Sequence, residues 1–265
     1  LKGIFAAAPG HILVGADLDQ AHLRITANYW KIPLLLECFD EGKDPHNTLS
    51  YSAFGDRFKN ADGWGPDGFS LYNKPAGGAA KAMRDVSKTL RYASIYGANP
   101  ATVWQVITST ETDDGDLPYI GMTLREVRVM HDVWLESEPQ WGEAWEQMMV
   151  RYGRQSWMEE PIMGRRSGPL SDGKLNEVVN FPVLAAEGAV MRLAEIAVRD
   201  AFPFQKWGPG TGMIHQCHDS IAVEVPEHLG EEMVEVLEKC MTVTIPGWDV
   251  PMTAEAELGR TLKDI

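Results

Sequence analysis

Cations and aromatic rings recur every four positions in RDVSKTLRYASIYG, residues 84–97. If this stretch is helical, one stripe of its surface carries Arg84, Lys88, Tyr92 and Tyr96. Lys and Arg hold phosphate oxygens by charge-assisted hydrogen bonds, and flat rings offer a surface to a base or sugar. Gly97 suits the left-handed turn after a helix end. Taken alone, the stripe also fits an ordinary amphipathic helix with solvated cations and half-buried tyrosines.

Aspartates stand where two short apolar runs end. HILVGADLD, residues 11–19, predicts a buried strand that ends in Asp17 and Asp19, whose side chains point to the same side of an extended backbone. GMIHQCHDSIAVEVP, residues 212–226, contains two short alternating runs and predicts a tight β-hairpin with Asp219 at its tip. Carboxylates held rigidly at the ends of core strands are suited to binding a metal ion.

Helices are predicted to follow the first strand. The segment QAHLRITANYW has a helical pattern, and its first turns carry Gln20, His22 and Arg24. Pro33 starts a second, short apolar helix. Asp44 and Pro45 are placed as the cap and first residue of a third. His46 lies near the N-terminus of that helix, where anions are favoured, and a surface histidine is an equally good interpretation.

The middle of the chain begins with a loop predicted from Asp56 to about Met83, since glycine and proline interrupt every pattern there. An acidic loop, TETDDGDLPYIG, is predicted after the next helix. Capping residues and periodicity predict five further helices: one that starts at Asn99–Pro100, one from Thr123 to about Glu136, one that starts at Pro139, one over 176–200 and one over 230–243. In the helix over 176–200, Pro182 either causes a kink or lies in the first turn. A strand and turn with exposed Arg165 and Arg166 are predicted in QSWMEEPIMGRRSG, and a last strand over 249–258.

Composition limits the functional classes. A formal net charge of −14 argues against a general nucleic-acid coat protein, whose affinity rests on many cations, but it is compatible with an enzyme that concentrates its cations locally. The three scattered cysteines indicate buried thiols in a reducing, cytoplasmic compartment. No apolar run is long enough to predict a membrane span. The first residues do not form a secretory signal, and the initial Leu suggests a fragment or processed product.

Three separated segments resemble, in order, motifs A, B and C of family A DNA polymerases, the DNA polymerase I type. They are ADLDQAHLR, RDVSKTLRYASIYG and HDSIAVEV. Motif A, Asp-x-Ser-Gln-x-Glu-Leu-Arg, is matched at Asp17, Gln20, Leu23 and Arg24. Motif B is matched throughout by Arg84, Lys88, Tyr92, Tyr96 and Gly97, and motif C at His218 and Asp219. GKDPHNTLSYSAFG resembles a Gly-x-Asp-x-His segment that includes His46, and NFPVLAAEGA an Asn-x-Pro-x-Gln-Gly helix that includes Asn180.

The resemblance implies an α+β fold, with a palm made of a small antiparallel sheet and packed helices, mainly helical fingers, and no thumb. The palm would occupy residues 1–24 and 177–265, and the fingers residues 25–176. The implied function is template-directed DNA synthesis, in which a nucleotidyl group passes from a dNTP to a primer 3′-hydroxyl. The implied partners are a DNA primer-template and dNTP; thumb and exonuclease parts would come either from a separate upstream polypeptide or from a longer protein that was cut, and no membrane is implied.

The resemblance also assigns roles to individual residues. Asp17 and Asp219 would hold two Mg²⁺ ions, for which Mn²⁺ can substitute, and Lys88 would donate a proton to pyrophosphate. The residues implied to bind the nucleotide are Gln20, His22, His46, Arg84, Lys88, Tyr92 and Tyr96. Those implied to contact DNA are Tyr96, Arg24, Asn180 and His218.

Several positions depart from the family pattern. His22 replaces a Glu that crowds the 2′ position of the sugar, so we expect altered selection against ribonucleotides. Ser220 replaces the Glu of motif C, and Leu184 and Asn176 replace residues that grip the duplex. Tyr92 implies easier acceptance of dideoxynucleotides. Two rival functions therefore stay open: a non-catalytic DNA-binding or assembly subunit with a degenerate polymerase fold, and a metal-dependent nuclease.

Overall fold

The computed structural model describes residues 2–109, 121–170, 174–202 and 210–265, so the predicted acidic loop lies almost wholly outside the described residues. The chain divides into two compact units. Unit 1 comprises Leu1–Tyr29, Glu159–Arg166 and Pro182–Ile265, and unit 2 comprises Trp30–Met158 and Ser167–Phe181. The names palm and fingers, with boundaries at 24/25 and 176/177, stay predictions.

Helices and strands alternate only near the two ends of the chain, and the middle is helical. In chain order the elements are β1 (His11–Leu18), α1 (Ala21–Trp30), α2 (Pro33–Asp40), α3 (Pro45–Phe54), α4 (Asp56–Lys59), α5 (Gly78–Ile95), α6 (Pro100–Ser109), α7 (Leu124–Ser137), α8 (Gln140–Gln155), α9 (Leu175–Ala201), β2 (Gly212–Cys217), β3 (Ser220–Pro226), α10 (Gly230–Met241) and β4 (Ala254–Gly259). The predicted α+β class is confirmed.

Unit 1 is built around a four-stranded antiparallel sheet with the order β2-β3-β1-β4. β1 takes an inner position, as expected for a strand whose Leu13, Val14, Ala16 and Leu18 are all buried. Helix α10 packs against β1 and β4 through three fully buried side chains, Met233, Leu237 and Met241. The sheet thus has an apolar core that holds the end of β1 in place.

Unit 2 consists of packed helices whose starts are fixed by local caps. The Asp44 carboxylate accepts a hydrogen bond from the Asn47 amide at 2.8 Å, as predicted for the cap of α3. Thr123 and Glu126 form both halves of a capping box at the start of α7. Among the described residues, no helix is both long enough and apolar enough to cross a membrane.

Three predicted boundaries are wrong. Residues 56–59, which were predicted as part of the loop, form α4. Helix α5 begins at Gly78, also within the predicted loop. It begins there because the alanines after Gly78 favour a helix and the Asp62 carboxylate accepts a hydrogen bond from the Ala79 amide at 3.0 Å. In place of the strand predicted after α8, the structure has a single bridge between Glu159 and Arg166. Pro182 lies inside α9, which excludes the first turn, and the alternative of a kink stays a prediction.

The cysteines are not all buried, contrary to the prediction. Cys38 is buried, Cys240 is half-buried and Cys217 is exposed. Cys217 is exposed because β2 is an edge strand whose last residues face solvent. Burial raises the pKa of the Cys38 thiol, which therefore stays protonated at neutral pH.

Candidate active site

In unit 1, the two predicted metal ligands lie side by side at one end of the sheet. Asp17, the second-last residue of β1, is the register partner of Ser220, the first residue of β3. Asp219 immediately precedes Ser220 in the turn between β2 and β3, and its carbonyl oxygen accepts from the Leu18 amide at 3.0 Å. Asp17 is exposed and Asp219 half-buried, so a ligand can reach both residues.

The same face of the sheet carries further polar groups. A cavity of about 250 Å³ beside Asp17 is also lined by Ser220, His215, Glu255 and Glu257. Glu255 is the register partner of Asp17 on β4. Within the described residues, no three or more His, Cys, Asp or Glu side chains are arranged to hold a metal ion. Asp17 and Asp219 are neighbours in the backbone register at this sheet end, and their carboxylate oxygens are donors of the kind that Mg²⁺ prefers.

Asp19 and Arg24 form an ion pair with each other. Arg24 is buried, and its guanidinium donates to the Asp19 carboxylate at 2.8 Å, to the Asp19 carbonyl at 2.8 Å and to the Pro251 carbonyl at 3.0 Å. Asp19 is also outside β1, so it does not share the extended geometry expected of it with Asp17. Through these bonds Arg24 stabilises the turn between β1 and α1. Its contact with DNA stays a prediction.

Two left-handed residues lie next to the aspartates. Gln20, in the turn before α1, has φ +50°, and His218, beside Asp219, has φ +51°. Such conformations are uncommon for residues with side chains and tend to occur at functional sites. Gln20 precedes α1, whereas it was predicted in the first helical turn, and its side-chain oxygen is buried with no hydrogen-bond partner among the described residues.

His22 has a partner that sequence reasoning missed. Its Nε2 forms a short hydrogen bond with the carboxylate of Glu187, which lies 165 residues away on α9. Glu187 is buried, while a quarter of the His22 side chain is exposed. One signal was present in the sequence: Glu187 interrupts an apolar helical face formed by Val183, Ala186 and Val190.

The remaining DNA-contact candidates lie on α9 and at the hairpin. Asn180 is half-buried in the part of α9 that belongs to unit 2, and Leu184 is exposed in the part that belongs to unit 1. His218 is exposed at the hairpin tip. The Ser220 hydroxyl donates to the Cys217 carbonyl at 2.9 Å, so this residue closes the hairpin where the family pattern has a carboxylate.

In unit 2, the cationic stripe of α5 is present, but its charges differ in availability. Arg84 is buried, and its guanidinium donates to both carboxylate oxygens of Asp44, at 2.7 and 3.3 Å. Lys88, one turn further along, is exposed. Lys88 is therefore the more accessible cation of the stripe, while Arg84 joins α5 to the start of α3.

His46 is buried to 1% exposure, so the surface interpretation is wrong. Neither ring nitrogen has a hydrogen-bond partner among the described residues. Its ring lies 5.5 Å from that of Tyr92. Burial, and then the charges of Arg91, Arg84, Lys88 and Lys74, lower the pKa of His46 well below its ordinary value, so the ring is neutral. A neutral imidazole has one N–H donor and one acceptor nitrogen, so one of its two unused nitrogens can donate to an anionic ligand.

Tyr96 caps α5 and is half-buried, packing against a core cluster that includes Met148 and Val178. Gly97 follows with φ +80°, as predicted. A Cβ atom at Gly97 would lie 2.7 Å from the Leu175 side chain, so both the backbone conformation and the space require glycine.

Sequence reasoning also missed a buried ion pair in unit 2. Arg91 Nη2 donates to Glu138 Oε1 at 2.6 Å, and both side chains are fully buried. Arg91 also donates to the carbonyl of Pro45, next to His46, and the Trp141 indole donates to Glu138 Oε2 at 2.8 Å. Arg91 thus joins α5 to the residue that follows α7, through Glu138, and to the start of α3, through Pro45.

A sequence model described as DNA polymerase family A matches residues 1–264. The chain belongs to DNA polymerase family A. It is 26% identical to DNA polymerase I of Aquifex aeolicus over 269 residues, which cover 100% of this chain and 42% of the relative. It is also 26% identical to the thermostable DNA polymerase I of Thermus filiformis, covering 98% of this chain and 28% of the relative. The resemblance to the family is thus confirmed.

A solved structure agrees with this membership at the level of fold. The POL domain of Pol1 from M. smegmatis, solved in complex with DNA primer-template and dNTP, matches 99% of this chain and 42% of that chain, with a TM-score of 0.73 and 18% identity. The predicted family A fold, a small antiparallel sheet with many helices, is therefore confirmed. The chain spans less than half the length of each of these three matched proteins.

Proposed function

We propose that this chain carries out template-directed DNA synthesis, passing a nucleotidyl group from a dNTP to the 3′-hydroxyl of a primer. The observation that carries the proposal is the placement of Asp17 and Asp219 on adjacent antiparallel segments at an accessible sheet end. Relatives named DNA polymerase I support it, as does the likeness to a POL domain solved with primer-template and dNTP. The reaction requires mainly positioning and charge neutralisation, which fixed side chains provide.

Asp17 and Asp219 would hold two Mg²⁺ ions. Their oxygen donors are of the type that this ion and Mn²⁺ prefer, and a pair of carboxylates is sufficient where a triphosphate completes the coordination. When bound, such ions stabilise the charge that develops on the attacking and leaving oxygens. The chain's own contribution is rigidity, because β1 and β3 are joined in register up to the two aspartates.

The incoming triphosphate would bind along α5. Lys88 is exposed and can meet phosphate oxygens, and it is also a candidate proton donor to the pyrophosphate. His46 offers one N–H donor, since a neutral ring has one donor and one acceptor nitrogen and neither has a partner among the described residues. Arg84 would act either through its contact with Asp44 or by exchanging that carboxylate for a phosphate. Tyr92, whose ring lies beside His46, would face the sugar and base.

We also propose that further polypeptide assists this chain. The family A relatives are more than twice as long as the part of them that matches this chain. A primer-template also needs protein contacts on more than one side. A thumb and an exonuclease part would come from a separate upstream polypeptide or from the same longer protein. The bacterial origin of the relatives favours a cytoplasmic location.

Primer extension tests the function. The protein is incubated with a 5′-labelled primer-template, Mg²⁺ and one dNTP at a time, with and without the upstream polypeptide. We expect the primer to gain one nucleotide only with the dNTP that complements the template. Shortening of the primer would support the nuclease rival, and binding without any change in primer length would support the non-catalytic one. Either result would overturn the proposed function.

A further inference from the structure

The segment between α4 and α5 in unit 2 forms a loop whose two ends meet. The Gly63 carbonyl accepts hydrogen bonds from the amides of Ala76 and Gly77, at 2.8 and 3.2 Å. Gly63 has φ +94°, and a Cβ atom at this position would overlap with the Gly77 carbonyl oxygen, so the close approach of the two ends requires glycine. Compact loops with joined ends frequently carry binding residues.

Aromatic side chains fill the interior of this loop. Trp64 and Phe69 pack edge-to-face against each other and against the buried ring of Phe58 on α4. The Trp64 indole also donates to the Phe58 carbonyl at 3.1 Å. The loop is therefore held in place by a small apolar core of its own.

The same loop is attached to the first turn of α3, which carries His46. The side chain of Asn47 is fully buried and donates to the carbonyls of Ser70 at 3.2 Å and Asn73 at 2.9 Å. Lys74 follows Asn73 directly. The backbone of Lys74 is thus fixed beside the helical turn that contains His46.

The arginines that act on His46 are already neutralised. Arg84 pairs with Asp44 at 2.7 Å, and Arg91 pairs with Glu138 at 2.6 Å. Each guanidinium therefore has a carboxylate partner in the absence of a ligand.

Two lysines add positive charge that no described carboxylate neutralises. Lys74 and Lys88 are both exposed, and neither forms an ion pair among the described residues. Their charges nevertheless reach His46, because both lower the pKa of its buried ring. Like charges beside an imidazole with unpartnered nitrogens are stabilised when an anion binds between them. In a chain with a net charge of −14, this local concentration of cations indicates a site for a polyanion.

We propose that Lys74 is a phosphate-binding residue, placed by the loop so that it and Lys88 together bind the triphosphate of the incoming nucleotide. The identity of the ligand as a dNTP rests on the proposed function. A lysine side chain on a fixed backbone forms charge-assisted hydrogen bonds with phosphate oxygens. Because Lys74 comes from the loop and Lys88 from α5, a chain of several phosphates engages both residues.

Binding of inorganic tripolyphosphate tests the site without catalysis. The full chain and its Lys74→Gln and Lys74→Arg variants are titrated with tripolyphosphate, without divalent metal, by isothermal titration calorimetry. We expect Lys74→Gln to weaken binding about tenfold, since it removes one charge-assisted contact, and Lys74→Arg to remain within about threefold of the unsubstituted protein. Both variants should fold normally, because position 74 is exposed.

Lys59→Gln is the matched control. Lys59 is likewise an exposed lysine of unit 2, but it lies at the end of α4, before the loop. Its substitution should leave the affinity for tripolyphosphate unchanged. The proposal is overturned if the unsubstituted protein and Lys74→Gln bind tripolyphosphate equally well, if neither binds it, or if Lys59→Gln weakens binding by the same factor as Lys74→Gln.

Primer extension then separates this proposal from the proposed function. In Lys74→Gln we expect the KM for dNTP to rise about tenfold while kcat changes by no more than about twofold, because a contact with the triphosphate stabilises the ground state and the transition state alike. A lower kcat with an unchanged KM would overturn the role of Lys74 in binding the nucleotide. If tripolyphosphate binding responds as expected but the unsubstituted protein extends no primer, the proposed function fails while Lys74 keeps its place in a polyphosphate site.

Discussion

Replacing Glu138 by Leu removes the partner of a cation that has no access to water. Arg91 and Glu138 are both fully buried, with a separation of 2.6 Å between Nη2 and Oε1. Glu138 also accepts from the Trp141 indole at 2.8 Å. The substitution therefore leaves the Arg91 charge buried without a counter-ion and the Trp141 indole N–H buried without its acceptor.

The magnitude follows from these two losses. Removing one partner of a buried ion pair costs about 3–5 kcal/mol, and an unsatisfied buried donor costs about 1–3 kcal/mol. Because the two losses share one carboxylate, they are not summed, and we expect Glu138→Leu to lower the free energy of unfolding by about 4 kcal/mol. A second substitution, Arg91→Met, removes the orphan charge, so the double variant should recover about 2 kcal/mol.

Urea unfolding followed by circular dichroism measures these differences. Glu146→Leu, at an exposed position of α8, is the control and should change the free energy of unfolding by no more than about 0.5 kcal/mol. The reasoning is refuted if Glu138→Leu lies within about 1 kcal/mol of the unsubstituted protein, or if the double variant is less stable than Glu138→Leu alone.

Three further substitutions test other parts of the structure. Gly97→Ala should destabilise the protein by about 2 kcal/mol, because φ at this position is +80° and the Leu175 side chain would be 2.7 Å from the new Cβ. The control is Gly153→Ala inside α8, which should stabilise the protein slightly in the same urea assay. His46 has a lowered pKa in the folded protein, so the unfolded state binds more protons below pH about 6.5 and stability falls as pH drops through that value. His46→Gln should reduce this slope by up to about 1.4 kcal/mol per pH unit between pH 6 and 5, and an unchanged slope would contradict the burial of a neutral ring. Tyr92→Phe should lower the incorporation of dideoxynucleotides in chain-termination assays, and unchanged use would contradict the easier acceptance of dideoxynucleotides that Tyr92 implies.

Local signals predicted much of the fold. The caps at Asp44 and Thr123 were identified because the chemistry of a helix start depends on residues three positions apart. The hairpin at Asp219 was predicted because two alternating runs flank a short turn. The apolar runs also placed Asp17 near the end of a strand and Asp219 in the hairpin turn, where the structure has them.

Contacts between distant segments could not be predicted in this way. The pairs Arg84–Asp44, Arg91–Glu138 and His22–Glu187 join residues that are 40, 47 and 165 positions apart. The periodicity of apolar residues does not indicate such pairings, because the pairings depend on how helices pack and not on the pattern within one helix. A charged residue on an otherwise apolar helical face, as at Glu187, is the one sequence signal that such a contact leaves.

Asp17 and Asp219 together are proposed to bind the metal ions that DNA synthesis requires. The most direct measurement combines Mg²⁺-dependent primer extension with Mn²⁺ binding, followed by electron paramagnetic resonance, in Asp17→Asn and Asp219→Asn. The control is Asp200→Asn, since Asp200 lies on α9 and pairs with Arg199 at the surface. We predict that each of the first two variants loses both extension and Mn²⁺ binding while the control keeps both. Full extension by either Asp17→Asn or Asp219→Asn would contradict the account.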